Sequence, residues 1–534
     1  MTSTIQVLVL LLVVIAGVAV LGARLKIPPV ILLVLAGVGL ALVPGLPPME
    51  LSPDFVLLIV LPPLIYSSAV AMSWREFRFN LRPIALLAVG CVLFTTTAVA
   101  AATHWLLGFD WPVGFVLGAI VSPPDPVAPL AIARRMNLPR RLLVVLEGEG
   151  LANDATALVL YRFAVAAVSA STISFGQVAT TFTAIVVGEL LWGIGVGWMM
   201  LRLRRWVGDP RIEILFSVLT PFLAYWPPEQ LGGSGVLATV TAGLYISWNG
   251  LRLISAATRL QGIFFWDFLI YLIEGMVFLI TGLQARALLQ NISGSSVREL
   301  AVSAAIVTGV TIATRFIWVF PAIYLPRWLI PSIRRRDPSP SWQQSFALGF
   351  TGIRGIVTLV AALAVPEAMY NGEPFPHRDL IIFISFAVIL VTLVGQGLMM
   401  PAVIHWLGLA NAGRRERQAD RIEEFAAWRQ TIATAISRLN DLAKDRELPH
   451  ELVGPLRTYY RDRLKRIEQR ADSEHAQRKM TALGDEIGLL LIKAERDVIN
   501  DLYRHGKLKD EARRRIERAL DLREADTANL LAED

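Results

Sequence analysis

The chain has a single cysteine, Cys91, set in an apolar run. One thiol excludes a disulfide framework within the chain and leaves no basis for a cysteine metal centre. Histidine is also scarce. His104, His377 and His405 sit at the ends of apolar runs, and His450, His475 and His505 lie in the polar C-terminal stretch. No Ser/His pair falls inside an apolar run, so an enzyme working within a membrane is not expected. Charge is thin as well, at 18% of residues, against about 25% in a soluble domain. With 54% hydrophobic residues and a mean hydropathy of +0.53, the composition excludes disorder, a collagen-like chain and an ordinary soluble enzyme. No basic residue precedes the first apolar stretch, 4–21. It lacks the n-region of a cleaved signal peptide and reads as a retained helix.

What charge there is lies unevenly. Residues 409–534 hold 26 of the 51 basic and 25 of the 44 acidic residues, leaving 25 and 19 for the first 408. The sequence therefore reads as a membrane domain, 1–410, followed by a polar tail, 411–534. The tail is nearly neutral, so no nucleic-acid partner is expected; membrane lipid is.

A helix needs about 20 apolar residues to cross a bilayer. Thirteen runs meet that need, near 4–22, 27–44, 53–72, 82–106, 113–133, 142–168, 174–201, 212–228, 232–248, 263–283, 299–325, 342–365 and 379–408. The connections give an independent check. Those after odd-numbered runs carry 19 basic residues, among them Arg82, Arg134, Arg141, Arg252 and Arg327; those after even-numbered runs carry only Arg286, Arg298 and Arg378. The positive-inside rule puts the odd loops in the cytoplasm, the N-terminus outside and the tail inside. In the tail, Ala426, Ile432, Ile436 and Leu439 recur at helical spacing, as do Ile487, Leu490, Leu491 and Ala494. Pro449, Pro455 and a turn at Gly506 are expected to divide it into about four cytoplasmic helices. A regulatory or dimer-contact role is the functional option for this tail; its ligand is not legible.

Each charge inside a bilayer is costly and asks for a reason. The runs contain Asp125, Glu147, Glu149, Asp154, Arg162, Glu189, Asp267, Glu274, Arg315 and Arg354. Arg162, Glu189 and Asp267 fit structural pairs or interfacial positions. Two runs are irregular. In the fifth, Pro123, Pro124 and Pro126 surround Asp125, next to Ser122. Proline removes a backbone donor, and such a break is tolerated in a membrane only where protein covers it or it lines a cavity. Asp125 is placed to neutralise the positive end of a half-helix. In the twelfth, Gly349, Gly352 and Gly355 surround Thr351 and Arg354. The two runs are seven apart and so run in opposite directions. Interrupted runs at corresponding places in oppositely oriented halves point to an inverted-repeat transporter. In the sixth run, Glu149 and Asp154 are about 140° apart on a helix and face different ways. One carboxylate can be paired while the other faces a cavity, with the Asn153 amide beside it. A carboxylate that holds either a proton or a hard cation is the minimal component of an exchanger.

These motifs together resemble the cation:proton antiporter family, in its bacterial sodium/proton exchanger branch. They are the Glu149-Gly150 and Asn153-Asp154 of run six, Ser122-Pro-Pro-Asp-Pro-Val127, Gly352-Ile-Arg-Gly355 and Leu61-Pro-Pro-Leu64. The resemblance covers about the first 410 residues. It implies an all-α fold of thirteen transmembrane helices with two inverted repeats and crossed broken helices. It implies a homodimer in the bacterial inner membrane, with no cofactor, and Asp154 as carrier of Na+ or H+. It implies an ion pair between Glu149 and Arg354. The Asn-Asp pattern implies electroneutral one-for-one exchange. Three positions depart from the family pattern: Gly150 replaces a serine, Ser67 an acid on the third helix, and Pro124 a threonine. Na+/H+ exchange is the first expectation and K+/H+ exchange the second. A channel gated by the tail is the reading from another class; no filter-like segment supports it.

Overall fold

The computed structural model describes residues 2–44, 52–169, 175–250, 253–291, 296–337, 339–369, 372–472, 475–505 and 507–532. Arg252, the Gly506 turn and Ser174, where the seventh run was expected to start, lie outside them. Among the described residues the chain is helical, with no strand and a single isolated bridge between Ala368 and Pro374. It divides into two compact units, Met1–Arg414 and Arg415–Asp534.

The first unit contains α1 (Thr2–Leu25), α2 (Pro29–Ala41), α3 (Pro53–Ala71), α4 (Leu81–Leu107), α5 (Trp111–Val121), α6 (Val127–Arg135), α7 (Arg140–Ser169), α8 (Phe175–Val207), α9 (Pro210–Gln230), α10 (Val236–Gly250), α11 (Ala256–Asn291), α12 (Val297–Leu329), α13 (Trp342–Phe350), α14 (Ile356–Leu363) and α15 (Arg378–Trp406). Eight of these are long and apolar enough to cross a membrane: α1, α3, α4, α7, α8, α11, α12 and α15. The interruptions between α5 and α6, and between α13 and α14, coincide with the proline-rich and glycine-rich stretches. Val116, Leu117 and Ile120 of α5, Ile356 and Leu359 of α14, and Ile384 and Val388 of α15 belong to the buried apolar core around them.

Prolines inside helices leave carbonyls without donors, and tryptophans answer two of them. Pro62 cannot donate to Leu58, whose carbonyl accepts the Trp226 indole N–H at 2.9 Å. Pro227 cannot donate to Leu223, whose carbonyl accepts from Trp192 at 3.0 Å. A wide π-turn at Leu86–Cys91 releases the Leu86 carbonyl to Trp318 at 2.8 Å. Such partners are what let a helix tolerate a break away from water.

Some basic residues of the odd-numbered connections are gathered by one acid. Asp337 accepts from Arg82 at 2.5 Å, Arg141 at 2.5 Å and Arg327 at 2.8 Å. Burial alone would raise its carboxyl. The hydrogen bonds and charges of Arg141 and Arg327 outweigh that and hold it below the usual carboxylate range.

The second unit continues α16 (Leu409–Asp445) and adds α17 (His450–Asp472), α18 (His475–Arg504) and α19 (Asp510–Ala532). Its apolar cluster consists of Ile492, Ile499 and Leu520. Ile487, Leu490 and Leu491 are exposed. Pro449 separates α16 from α17 as expected. Pro455 does not break the chain: it lies within α17. It removes one donor, to the Glu451 carbonyl, and Glu451 is exposed so that water can substitute.

Candidate functional site

The two interruptions touch. The Asp125 backbone N–H donates to the Ile353 carbonyl at 2.7 Å, linking one extended stretch to the other. The Asp125 carboxylate accepts from Val127 N at 2.9 Å and from Ile356 N at 3.3 Å. These are the first residues of α6 and α14, so one negative group sits on the positive ends of both half-helices. Arg354 does the converse. Its guanidinium donates to the carbonyls of Val121 (2.8 Å) and Ser122 (3.2 Å), where α5 ends, and to that of Gly352, just beyond α13. A positive group thus meets the negative ends of the other two half-helices. The Arg354 backbone N–H is taken by Thr392 Oγ1 at 3.0 Å.

This arrangement admits only glycine at 355. A Cβ there would overlap the Asp125 carboxylate. Gly150 is explained the same way: its Cβ would run into the Pro126 ring, with Pro126 Cδ at 2.8 Å. The proline of the first break fills the space that a serine would need.

The expected pair between Glu149 and Arg354 does not form. Glu149 is paired with Arg315 of α12 through two hydrogen bonds, Nη1 to Oε1 at 2.5 Å and Nη2 to Oε2 at 2.9 Å. Both side chains are 2% exposed. Arg315 also donates to the Leu348 carbonyl at 3.2 Å and stands 3.5 Å from Thr351 Oγ1. The physical reason is donor demand: the three carbonyls at the breaks already occupy Arg354, while Arg315 is free to meet a carboxylate side-on. Arg315 was visible in the sequence as an intramembrane charge, but nothing there ranked it above Arg354.

Asp154 stands apart from this network. It is half-buried and makes no hydrogen bond or ion pair to any described residue. Asn153, fully buried, donates Nδ2 to the Pro124 carbonyl at 2.8 Å, which leaves its Oδ1 without a partner. Ser122 donates to Ala119 O at 3.1 Å, and Thr351 to Leu348 O at 2.8 Å. Pro123 and Pro124 are buried and Pro126 half-buried. Ser67, on α3, is half-buried and no hydrogen bond joins it to Asp154. Glu189 is structural: its carboxylate accepts from Ser234 N at 2.7 Å and Leu237 N at 3.1 Å at the start of α10. Arg162, two turns beyond Asp154 on α7, pairs with Glu229 and donates to the Gly233 carbonyl.

The comparisons with known proteins point one way. The family described as "Sodium/hydrogen exchanger, transmembrane" matches residues 8–406. An "Uncharacterized Na(+)/H(+) exchanger" of Mycobacterium tuberculosis is 34% identical over 512 residues, covering 95% of this chain and 93% of its own. A "Sodium, potassium, lithium and rubidium/H(+) antiporter" of Bacillus subtilis is 29% identical over 482 residues, covering 86% and 69%. Among solved structures, the sodium proton antiporter MjNhaP1 from Methanocaldococcus jannaschii superposes with a TM-score of 0.61 at 19% identity, over 77% of this chain and 98% of that one. That last likeness speaks to the fold.

Proposed function

We propose, for a chain that belongs to the transmembrane sodium/hydrogen exchanger family, that it exchanges Na+ for H+ at Asp154 by alternating access in a bacterial inner membrane. The family is one of membrane transporters, not enzymes. The observation that carries the reading is the contrast along α7. Glu149 is sealed and joined to Arg315 by two hydrogen bonds, while Asp154, five residues on, has no partner among the described residues. A carboxylate in that position takes a proton or a hard cation, and each occupant excludes the other. The unpartnered Asn153 Oδ1 offers a second oxygen, with Asp125, Ser122 and Ser67 as outer ones.

The architecture that goes with this reading has thirteen crossings. They are the eight long helices, the shorter α2, α9 and α10, and the two interrupted pairs α5–α6 and α13–α14. The opposite charges at the two breaks support an inverted-repeat relation between the halves. The basic bias of the odd connections supports an outside N-terminus and a cytoplasmic tail. The family resemblance supports a homodimer.

Exchange is one proton per cation, with no net charge moved. Asn153 does not titrate, Glu149 is held by Arg315, and Asp125 is held by two backbone N–H groups. Among the described acids of α7 and the two breaks, Asp154 alone has no hydrogen bond or ion pair. K+ is the second candidate, favoured by the substrate range in the name of the B. subtilis relative.

The test is dye dequenching in everted vesicles, with NaCl, LiCl and KCl added separately. Dequenching by Na+ supports the reading, and none by any of the three removes it. In proteoliposomes with a clamped potential, the rate at fixed pH gradient stays constant. Each net charge carried would change the driving force by about 2.3 kcal/mol per 100 mV, so a rate that follows the potential overturns the one-for-one stoichiometry.

A further inference from the structure

One intramembrane acid has no place in the network above. Glu274 lies in the middle of α11, half-buried, and makes no hydrogen bond or ion pair to any described residue. An ionisable group left without a partner inside a membrane needs water or a passing ion beside it. The two breaks meet at a junction around Asp125. α11 packs against both α3 and α14, so it borders the junction.

The helical face that carries Glu274 changes character at this residue. Residues three, four and seven apart share a face. Towards the C-terminus, Val277, Phe278 and Thr281 are buried. Towards the N-terminus, Asp267 and Tyr271 are exposed. Asp267, seven residues before Glu274, is about 10 Å further along the axis on nearly the same line. It too has no hydrogen bond or ion pair among the described residues. Two unpartnered acids on one line make a lipid-facing stripe costly and a wet one favourable. The N-terminus of α11 follows a basic connection assigned to the cytoplasm. The open part of the face is therefore its cytoplasmic part, and Glu274 marks where it closes.

We propose that Glu274 is a cation-positioning residue. It receives the cation from a cytoplasmic funnel whose outer acid is Asp267 and passes it to the Asp125–Asp154 junction. This inference rests on the exchange reading above and adds to it a sided capture step. A fixed negative charge raises the local concentration of cations in a narrow cleft. It changes how much cation is needed from one side and leaves the occupancy exchange at Asp154 alone.

The experiment compares wild type, E274Q, E274D and D267N, each confirmed as folded by gel filtration. Na+ and K+ chlorides are added at the cytoplasmic face in everted vesicles and at the opposite face in right-side-out vesicles. E274Q raises the cytoplasmic apparent KM by about threefold to tenfold, the size of one screened charge at this range. Its maximal rate stays within about twofold and its KM from the other face is unchanged. E274D restores most of the affinity, and D267N gives a smaller cytoplasmic shift. Added choline chloride shrinks the difference between E274Q and wild type, because salt screens a steering charge. An unchanged cytoplasmic KM in E274Q overturns the proposal, as does an equal shift from both faces. Should E274Q fail to fold, an unchanged KM in D267N overturns it instead. If wild type moves no cation in either vesicle type, it is the exchange reading that fails.

Discussion

At the centre of the first unit, charges sit where water is scarce. Around Asp125, Arg354, Glu149 and Arg315, nearly every donor and acceptor is matched to a helix end or to an opposite charge. In the second unit, Arg496 meets Asp521 and Glu524 (2.8 and 2.5 Å) in pairs that are 30–67% exposed. The first region holds one ion pair, Arg315–Glu149, and the second holds several. Burial sets their worth: a buried charge that loses its partner is left uncompensated, whereas an exposed one returns to water. The comparison also shows Asp154 as the anomaly. It lies in the costly region and makes no hydrogen bond or ion pair to any described residue.

Five single changes and one double change test this contrast, in order of expected effect. Asp154→Asn abolishes cation-driven dequenching in everted vesicles while the protein elutes as wild type does. Retained exchange would remove Asp154 as carrier. Gly355→Ala forces a methyl into the Asp125 carboxylate. It separates the two breaks, and transport and thermal stability fall together. A variant with wild-type melting and flux would show that the junction is looser than described.

Glu149→Gln leaves Arg315 uncompensated in a site 2% exposed, at a cost of about 3–5 kcal/mol. Its melting temperature in detergent therefore falls further than that of Asp154→Asn. The reverse order would contradict the pairing. Joint removal of Glu149 and Arg315 costs less than the sum of the single changes, since neither charge is then stranded.

Asp337→Asn weakens the cluster of Arg82, Arg141 and Arg327, by about 1 kcal/mol for partly exposed pairs. The sign with pH follows from its depressed carboxyl. The wild-type contribution is present at neutral pH and fades as pH falls below the ordinary carboxylate range. Melting of wild type and variant therefore converges in acid; a gap that persists there would refute the assignment. Arg496→Ala in the tail leaves the melting temperature unchanged, and a clear drop would mean that its exposed pairs matter more than their burial allows.

Much of this was legible from residue order. The apolar runs, the two interruptions and the carboxylates of α7 follow from hydropathy, proline and glycine placement and helical spacing. These are local properties that a bilayer makes strict. The placement of Asp125 on a half-helix end was legible for the same reason. The choice between Arg315 and Arg354 was not. Both are arginines in apolar runs, and the difference lies in which carbonyls the folded breaks present to each. Gly150 was read as a missing serine; only the Pro126 ring lying against it gives its reason.

The sequence by itself determined that this chain is a helical membrane protein with two interrupted runs and a pair of carboxylates on one helix. Apolar length and intramembrane charge are costs borne residue by residue. Only the tertiary structure decided which charge answers which. It set Asp125 on the positive helix ends, Arg354 on the negative ones, and Glu149 against Arg315. It left Asp154 and Glu274 without a partner among the described residues. Those pairings depend on distances of about 3 Å between segments far apart in the chain, and no local pattern encodes them.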